Sequence, residues 1–98
     1  MTEGTNTFLP VALAYDSIAM LSGDTLKMGK GKNFIGMYHY YNGNHRQAIN
    51  YYLEALPYFT AILDTYYIAM MHNNIGAAYE YRKEPENSIT YYQSALRY

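Results

Sequence analysis

The sequence predicts an all-α fold in which antiparallel helical hairpins stack side by side, and three observations carry that prediction. The chain repeats itself: AINYYLEALPY (Ala48–Tyr58) lies over SITYYQSALRY (Ser88–Tyr98), with identity at Ile49/Ile89, Tyr51/Tyr91, Tyr52/Tyr92, Ala55/Ala95, Leu56/Leu96 and Tyr58/Tyr98. A period of this size marks an architecture of stacked units. In the last third of the chain, Ile75-Gly76, Tyr79, Ser88, Tyr92 and Ala95 alternate small and large residues at a spacing that suits two antiparallel helices in close contact. Finally, 50% of the 98 residues are hydrophobic and 15% charged, which places the chain outside the disordered class and allows one small domain with a modest core.

Taken in order, Met1–Thr7 is polar and reads as a frayed lead-in. Pro10 suits the first turn of a helix, where its missing N–H is not needed. Ala14, Ile18 and Leu21 recur at helical spacing up to a Ser22-Gly23 stop. Extending the repeat register backwards puts those three on the small-large-small positions of a second helix. Pro10–Ser22 therefore reads as a degenerate preceding unit, or as a capping helix over the first full hairpin. Asp24–Lys32 (DTLKMGKGK) reads as a solvated interhelical loop. It fails the phosphate-loop pattern, since five residues separate Gly23 from Gly29 and Gly31 follows Lys30; the other role open to Lys27, Lys30 and Lys32 is contact with an acidic partner. Asn33–Tyr41 forms the first helix of unit one, and Asn42-Gly43-Asn44 a turn whose glycine tolerates the left-handed region. Asn44 with Gln47 makes a capping-box-like start. The second helix runs on from His45, with a kink or an end expected near Pro57. A long helix follows from about Asp64 to Arg82, and Pro85 opens a last one that reaches Tyr98 without a Gly or cap, which reads as a piece of a longer array.

These residues resemble the tetratricopeptide repeat. Ile75-Gly76, Tyr79, Ser88, Tyr92 and Ala95 fall on positions that its pattern gives to Leu-Gly and Tyr on a first helix and to small and aromatic residues on a second; Ile35-Gly36, His39, Ala48, Tyr52 and Ala55 match in unit one. Lys32 and His72 stand where the pattern has an aromatic, and His39 replaces the Tyr. The spacing of forty exceeds the usual thirty-four or so, so residues around Ala61–Tyr66 must lengthen the second helix or the link. The resemblance covers roughly residues 29–98. It divides the chain into 1–28, a tail with a capping or degenerate-repeat helix; 29–66, a repeat with an extended link; and 67–98, a second repeat that reads as truncated.

The resemblance implies a short right-handed solenoid that works without chemistry, as a protein- or peptide-binding scaffold whose first helices line a concave face. By register the exposed positions of that face are Asn33, Phe34, Met37, Tyr40 and Tyr41 in unit one, and Met70, Asn73, Asn74, Ala77 and Tyr81 in unit two. An Asn amide donates and accepts at once and so can hold a peptide backbone, while Met and Tyr offer adaptable apolar surface. Asn73 and Asn74 stand foremost, because family members often use Asn here; the alternative is that they serve only interhelical or water contacts. One subtype clamps a C-terminal carboxylate with a Lys where this chain has Asn33 and an Asn where it has Met37, which argues against a clamp. FIGMYHYYNGNHRQAINYY is also similar to the repeat domains of bacterial peptide-pheromone receptors, so a fragment of a peptide-sensing regulator is a second reading. Self-association through an uncovered terminal hairpin is a third.

In such a core Gly36 and Gly76 let the paired helices approach, with Ala48, Ala55, Ser88 and Ala95 doing the same from the other side. Tyr52, Tyr79 and Tyr92 are expected to fill the space between hairpins. Their hydroxyls need partners or water, and core filling and a tyrosine-rich binding face account equally well for 14 Tyr against 3 Phe.

Other classes find little support. A net charge of −1 gives no general attraction to nucleic acid or acidic membranes. Without cysteine there is no disulfide, which permits a cytoplasmic setting. The apolar run Phe8–Leu21 is too short to span a bilayer, contains Asp16 and lacks a basic leader. His39, His45 and His72 are not paired at metal-site spacing, and Glu80, Glu84 and Glu86 read as a solvated turn rather than a two-carboxylate site. With no nucleophile, base and orienter set, the sequence predicts neither enzyme activity nor a cofactor.

Overall fold

The computed structural model describes residues 3–98, with side chains from Phe8 onward. Five helices follow one another: α1 (Glu3–Ser22), α2 (Thr25–Tyr41), α3 (His45–Ala61), α4 (Thr65–Tyr81) and α5 (Pro85–Ala95). Each packs chiefly on its neighbours in sequence, and together they make a slab of 36 × 35 × 16 Å, as expected where every unit touches only the next. The forty-residue period has a simple origin. α2, α3 and α4 are each 17 residues long and are joined by three-residue links, Asn42–Asn44 and Ile62–Asp64. The extra length thus lies in the helices, and Pro57 stands inside α3, which ends at Ala61.

Each link carries its middle residue in the left-handed region, at Gly43, Leu63 and Lys83. In every case the next N–H reaches back over the helix end, from Asn44 to the His39 carbonyl at 2.8 Å, from Asp64 to Phe59 at 3.0 Å and from Glu84 to Tyr79 at 3.0 Å, the bond that closes a Schellman terminus. The first helices of both units are also capped alike: Asp24 and Asp64 accept the N–H of Lys27 and Tyr67 at 3.1 Å. The box expected at Asn44 and Gln47 is not made, since Asn44 offers no side-chain cap.

Two stretches depart from the sequence reading. Asp24–Lys32 is not a loop but the capped first half of α2, and its glycines mark close approaches. A Cβ at Gly29 would stand 2.7 Å from the Phe59 ring of α3, and one at Gly31 would stand 2.9 Å from the Asp16 Cα of α1. Met1 and Thr2 of the expected lead-in lie outside the described residues, but Glu3–Thr7 are helical, and Pro10 sits inside α1 rather than in its first turn. The face of α1 is also different. Ala14, Ile18 and Leu21 point outward, the last two 68% and 89% exposed, while Ala12 and Ala19 are buried. Ala12, Asp16 and Ala19 have the spacing of Ala48, Tyr52 and Ala55. α1 is thus patterned as a second helix, but two residues away from the expected register, and at about 100° per residue that offset selects the opposite face.

The core is centred on α3 and α4: Ala48, Ile49, Tyr52, Ala55 and Phe59 from one, Ile68, Met71, Ile75 and Ala78 from the other. α1 is tied to α2 by an ion pair, Lys32 Nζ to Asp16 Oδ2 at 3.0 Å, with both side chains largely covered. Burial pulls the Lys32 pKa down, but the Asp16 hydrogen bond and charge, helped by Glu54 and Tyr58, outweigh it and leave the ammonium above its ordinary value. Of the large tyrosines, Tyr52 reaches both the interior of its own hairpin and the core shared with α4. Tyr52 covers Gly36 and Tyr92 covers Gly76, where a Cβ would meet the rings at 2.7 and 2.8 Å, and Tyr79 stacks on Tyr91 at 5.7 Å.

Candidate functional site

Where the two first helices, α2 and α4, lie on either side of α3, their side chains leave a cavity of about 350 Å³ lined by Met37, Tyr40, Tyr41, Tyr52, Met70, Asn74 and Ala77. That size falls at the lower end of small-ligand and side-chain pockets. Its floor is Tyr52, only 2% exposed. Burial, and then the nearby Tyr40 and Tyr41, hold the Tyr52 hydroxyl well above the usual phenol range. Burial followed by Tyr81 and Tyr41 raises Tyr40 as well. These phenols are therefore neutral at physiological pH, and no cationic side chain lines the cavity. What it presents is thioether, aromatic and methyl surface with one amide. The amides of Asn42 and Asn87 donate to the Tyr38 carbonyl and Glu84 Oε1; that of the half-buried Asn74 has no partner among the described residues.

One end of the cavity is closed by an aromatic group that joins three helices. Tyr40 meets Tyr41 edge-on at 5.3 Å and Tyr81 at 5.7 Å, and His45 at the start of α3 stacks on Tyr81 at 5.1 Å. His39 stacks on Tyr51 and His72 on Tyr98, at 5.5 and 5.8 Å. All three histidines bury an Nδ1 without a hydrogen-bond partner, and burial lowers the pKa of His39 and His72. They act as flat packing surfaces. Among the described residues no three His, Cys, Asp or Glu side chains converge as a metal site, and no helix is long and apolar enough to cross a membrane.

The ten residues expected on the concave face do not form one surface. Met37, Tyr40, Tyr41, Met70, Asn74 and Ala77 meet in the cavity. Asn33 does not belong to the exposed face: it is 5% exposed and its Oδ1 is unpaired. Phe34 is turned to α1, where it meets Tyr15 edge-on at 5.0 Å. Tyr81 stands in the aromatic group, and Asn73 lines a separate depression between α4 and α5. Sequence reasoning missed Tyr52 and His45. The signal for Tyr52 was its place opposite Gly36, which marks it equally well as core. Of the lysines grouped as a contact for an acidic partner, Lys32 is engaged by Asp16 and Lys30 lies 5.9 Å over the Tyr67 ring.

The repeat holds at the level of contacts. The stacked pair His39–Tyr51 recurs forty residues later as Tyr79–Tyr91, and Gly36 under Tyr52 recurs as Gly76 under Tyr92. A family model of the tetratricopeptide repeat matches residues 28–98. The chain belongs to the tetratricopeptide repeat family. Comparison with curated proteins and with solved structures returned no significant match. Tetratricopeptide repeats generally act as scaffolds for protein–protein interaction and not as catalysts. In this tetratricopeptide repeat chain the matched segment begins inside α2, so the helix it omits in full is α1.

Proposed function

We propose that this chain is a non-catalytic scaffold that binds an extended segment of a partner protein across α2 and α4. An uncharged side chain of the partner seats on Met37, Tyr52 and Met70, and the Asn74 amide holds its backbone. The observation that carries this reading is the unpartnered amide of Asn74 in a cavity free of formal charge between the first helices of successive repeats. A cytoplasmic setting goes with it, the chain having no cysteine. The test compares wild type with Asn74→Ala, shown by circular dichroism to be equally helical, in capture of partners from a lysate and then in calorimetry with the captured segment. Loss of two amide hydrogen bonds predicts roughly tenfold weaker binding, about 1.4 kcal/mol; equal affinity of the two proteins refutes the assignment.

A second reading, self-association, draws on one observation. The outer face of α1 presents Val11, Ile18 and Leu21, all largely exposed. Light scattering at micromolar concentration decides it, since a monomer there would dismiss self-association.

A further inference from the structure

Tyr52 and Tyr92 are the same step of the repeat, and each covers a glycine of the helix before it, Gly36 and Gly76. Beyond the rings the two differ. The Tyr92 hydroxyl donates to Glu80 Oε1 at 2.8 Å. Forty residues before Glu80 stands Tyr40, which brings no carboxylate. The Tyr52 hydroxyl makes no hydrogen bond among the described residues; burial, and then the neighbouring Tyr40 and Tyr41, keep it protonated. Tyr52 is only 2% exposed, yet it lines the cavity between α2 and α4 together with Tyr40 and Tyr41. A buried donor without an acceptor is costly, so an acceptor that a ligand brings to this point is rewarded more than one at a wet surface.

We propose that the guest in this cavity is a glutamine side chain of the partner, whose carbonyl oxygen accepts the Tyr52 hydrogen as Glu80 does that of Tyr92. The inference rests on the reading of the cavity as the partner's seat and adds which residue the seat selects. The rest of the lining decides among acceptors. No cationic side chain is there to neutralise a carboxylate. Burial first, then Tyr81 and Tyr41, and also the Glu80 carboxylate raise the Tyr40 hydroxyl, so one anion already stands nearby. A glutamate would therefore lose its water without gaining a counter-charge. A primary amide is neutral: its oxygen accepts from Tyr52, and the phenol oxygens of Tyr40 and Tyr41 are acceptors for its NH2 group. Met37, Met70 and Ala77 give the apolar wall that the two methylenes of a glutamine stem need.

The test is a titration of the whole chain, labelled at its methionine and alanine methyls, with acetyl-Gly-Gln-Gly-amide, its methionine counterpart of equal stem length, and its glutamate counterpart. Saturable shifts at Met37, Met70 and Ala77 are expected from the first two, with glutamine bound about fivefold more tightly, and none from glutamate. Tyr52→Phe, which keeps the ring over Gly36, should bring the glutamine-to-methionine ratio to about one. Tyr40→Glu, which copies Glu80 and satisfies Tyr52 from within, should do the same, with circular dichroism showing both variants as helical as wild type. Asn74→Ala should weaken both peptides alike, because their backbone is the same. Equal affinity for glutamine and methionine, a preference that survives Tyr52→Phe, or glutamate bound as well as glutamine overturns this inference and leaves the cavity as a seat. Absence of saturable shifts with all three peptides overturns the seat itself and the inference with it.

Discussion

Three glycines on first helices touch aromatic rings of second helices at almost the same distance, yet their alanine variants should behave differently. A Cβ at Gly29, Gly36 or Gly76 would lie 2.7, 2.7 or 2.8 Å from the nearest ring carbon of Phe59, Tyr52 or Tyr92. What differs is whether the ring can retreat. Phe59 and Tyr52 are 0% and 2% exposed, and Phe59 is backed by the Tyr67 ring. Tyr92 is half-buried, borders an open depression with Glu80 and Ile89, and its hydroxyl donates to Glu80 at 2.8 Å. Overpacking a locked core costs about 1–3 kcal/mol, while Ala gains about 1 kcal/mol over Gly inside a helix. Gly29→Ala and Gly36→Ala should therefore lose about 0–2 kcal/mol net, and Gly76→Ala should be neutral or gain up to about 1 kcal/mol. For a domain of this size each kcal/mol moves the melting temperature by about 4–8 °C, so thermal melts followed by circular dichroism separate the two outcomes. The reasoning is refuted if Gly76→Ala is as destabilised as the other two, or if all three gain stability.

Two further outcomes follow from the links and the histidines. Leu63 and Lys83 hold left-handed backbone at φ of 52° and 60° on exposed sites, where a side chain costs about 1–2 kcal/mol and glycine loses about half of that gain through the unfolded chain; Leu63→Gly should stabilise by roughly 0.5–1 kcal/mol, read as a higher urea midpoint, whereas Gly43→Ala should lose stability. Burial holds His39 and His72 below the ordinary imidazole value of 6.5, so the unfolded chain takes up protons first and stability present above that pH falls as the medium becomes more acidic; His39→Tyr, which copies the Tyr79–Tyr91 stack, should shrink the drop in melting temperature between about pH 7 and pH 5, and an unchanged drop would show that His39 is not a source of it.

The helices of both repeats were legible because their determinants are local and recur: the small positions, the Asn-Gly turn and Pro85 each act over a few residues. The failures share a cause. Gly29 and Gly31 read as loop residues because a glycine needed for conformational freedom and one needed for clearance look alike in sequence, and only the approach of Phe59 and Asp16 tells them apart. Leu63 and Lys83 gave no turn signal because the strain they accept is imposed by the helices on either side. At α1 the pattern was real but the register was not, since a two-residue error reverses a helix face and Asp16 occupies the large position without looking like a core residue. Its burial is intelligible only with Lys32, sixteen residues away, in view.

The duplication also shows why equivalent positions need not share a role. Asn33 and Asn73 are the same step of the repeat, as are Gly29 and Ala69, and Lys32 and His72. In the first repeat α1 and the ring of Phe59 close over those positions, so Asn33 is sealed with an unpaired Oδ1 and Lys32 is drawn to Asp16. In the second repeat Asn73 is exposed and Ala69 half-covered, while His72 packs on Tyr98. Side-chain identity supplies the chemistry, but whether that chemistry meets a ligand or the core depends on what the adjoining helix covers. In a stack where each helix touches mainly its neighbours in sequence, what the adjoining helix covers decides which of two equivalent side chains stays exposed, as Asn73 does and Asn33 does not.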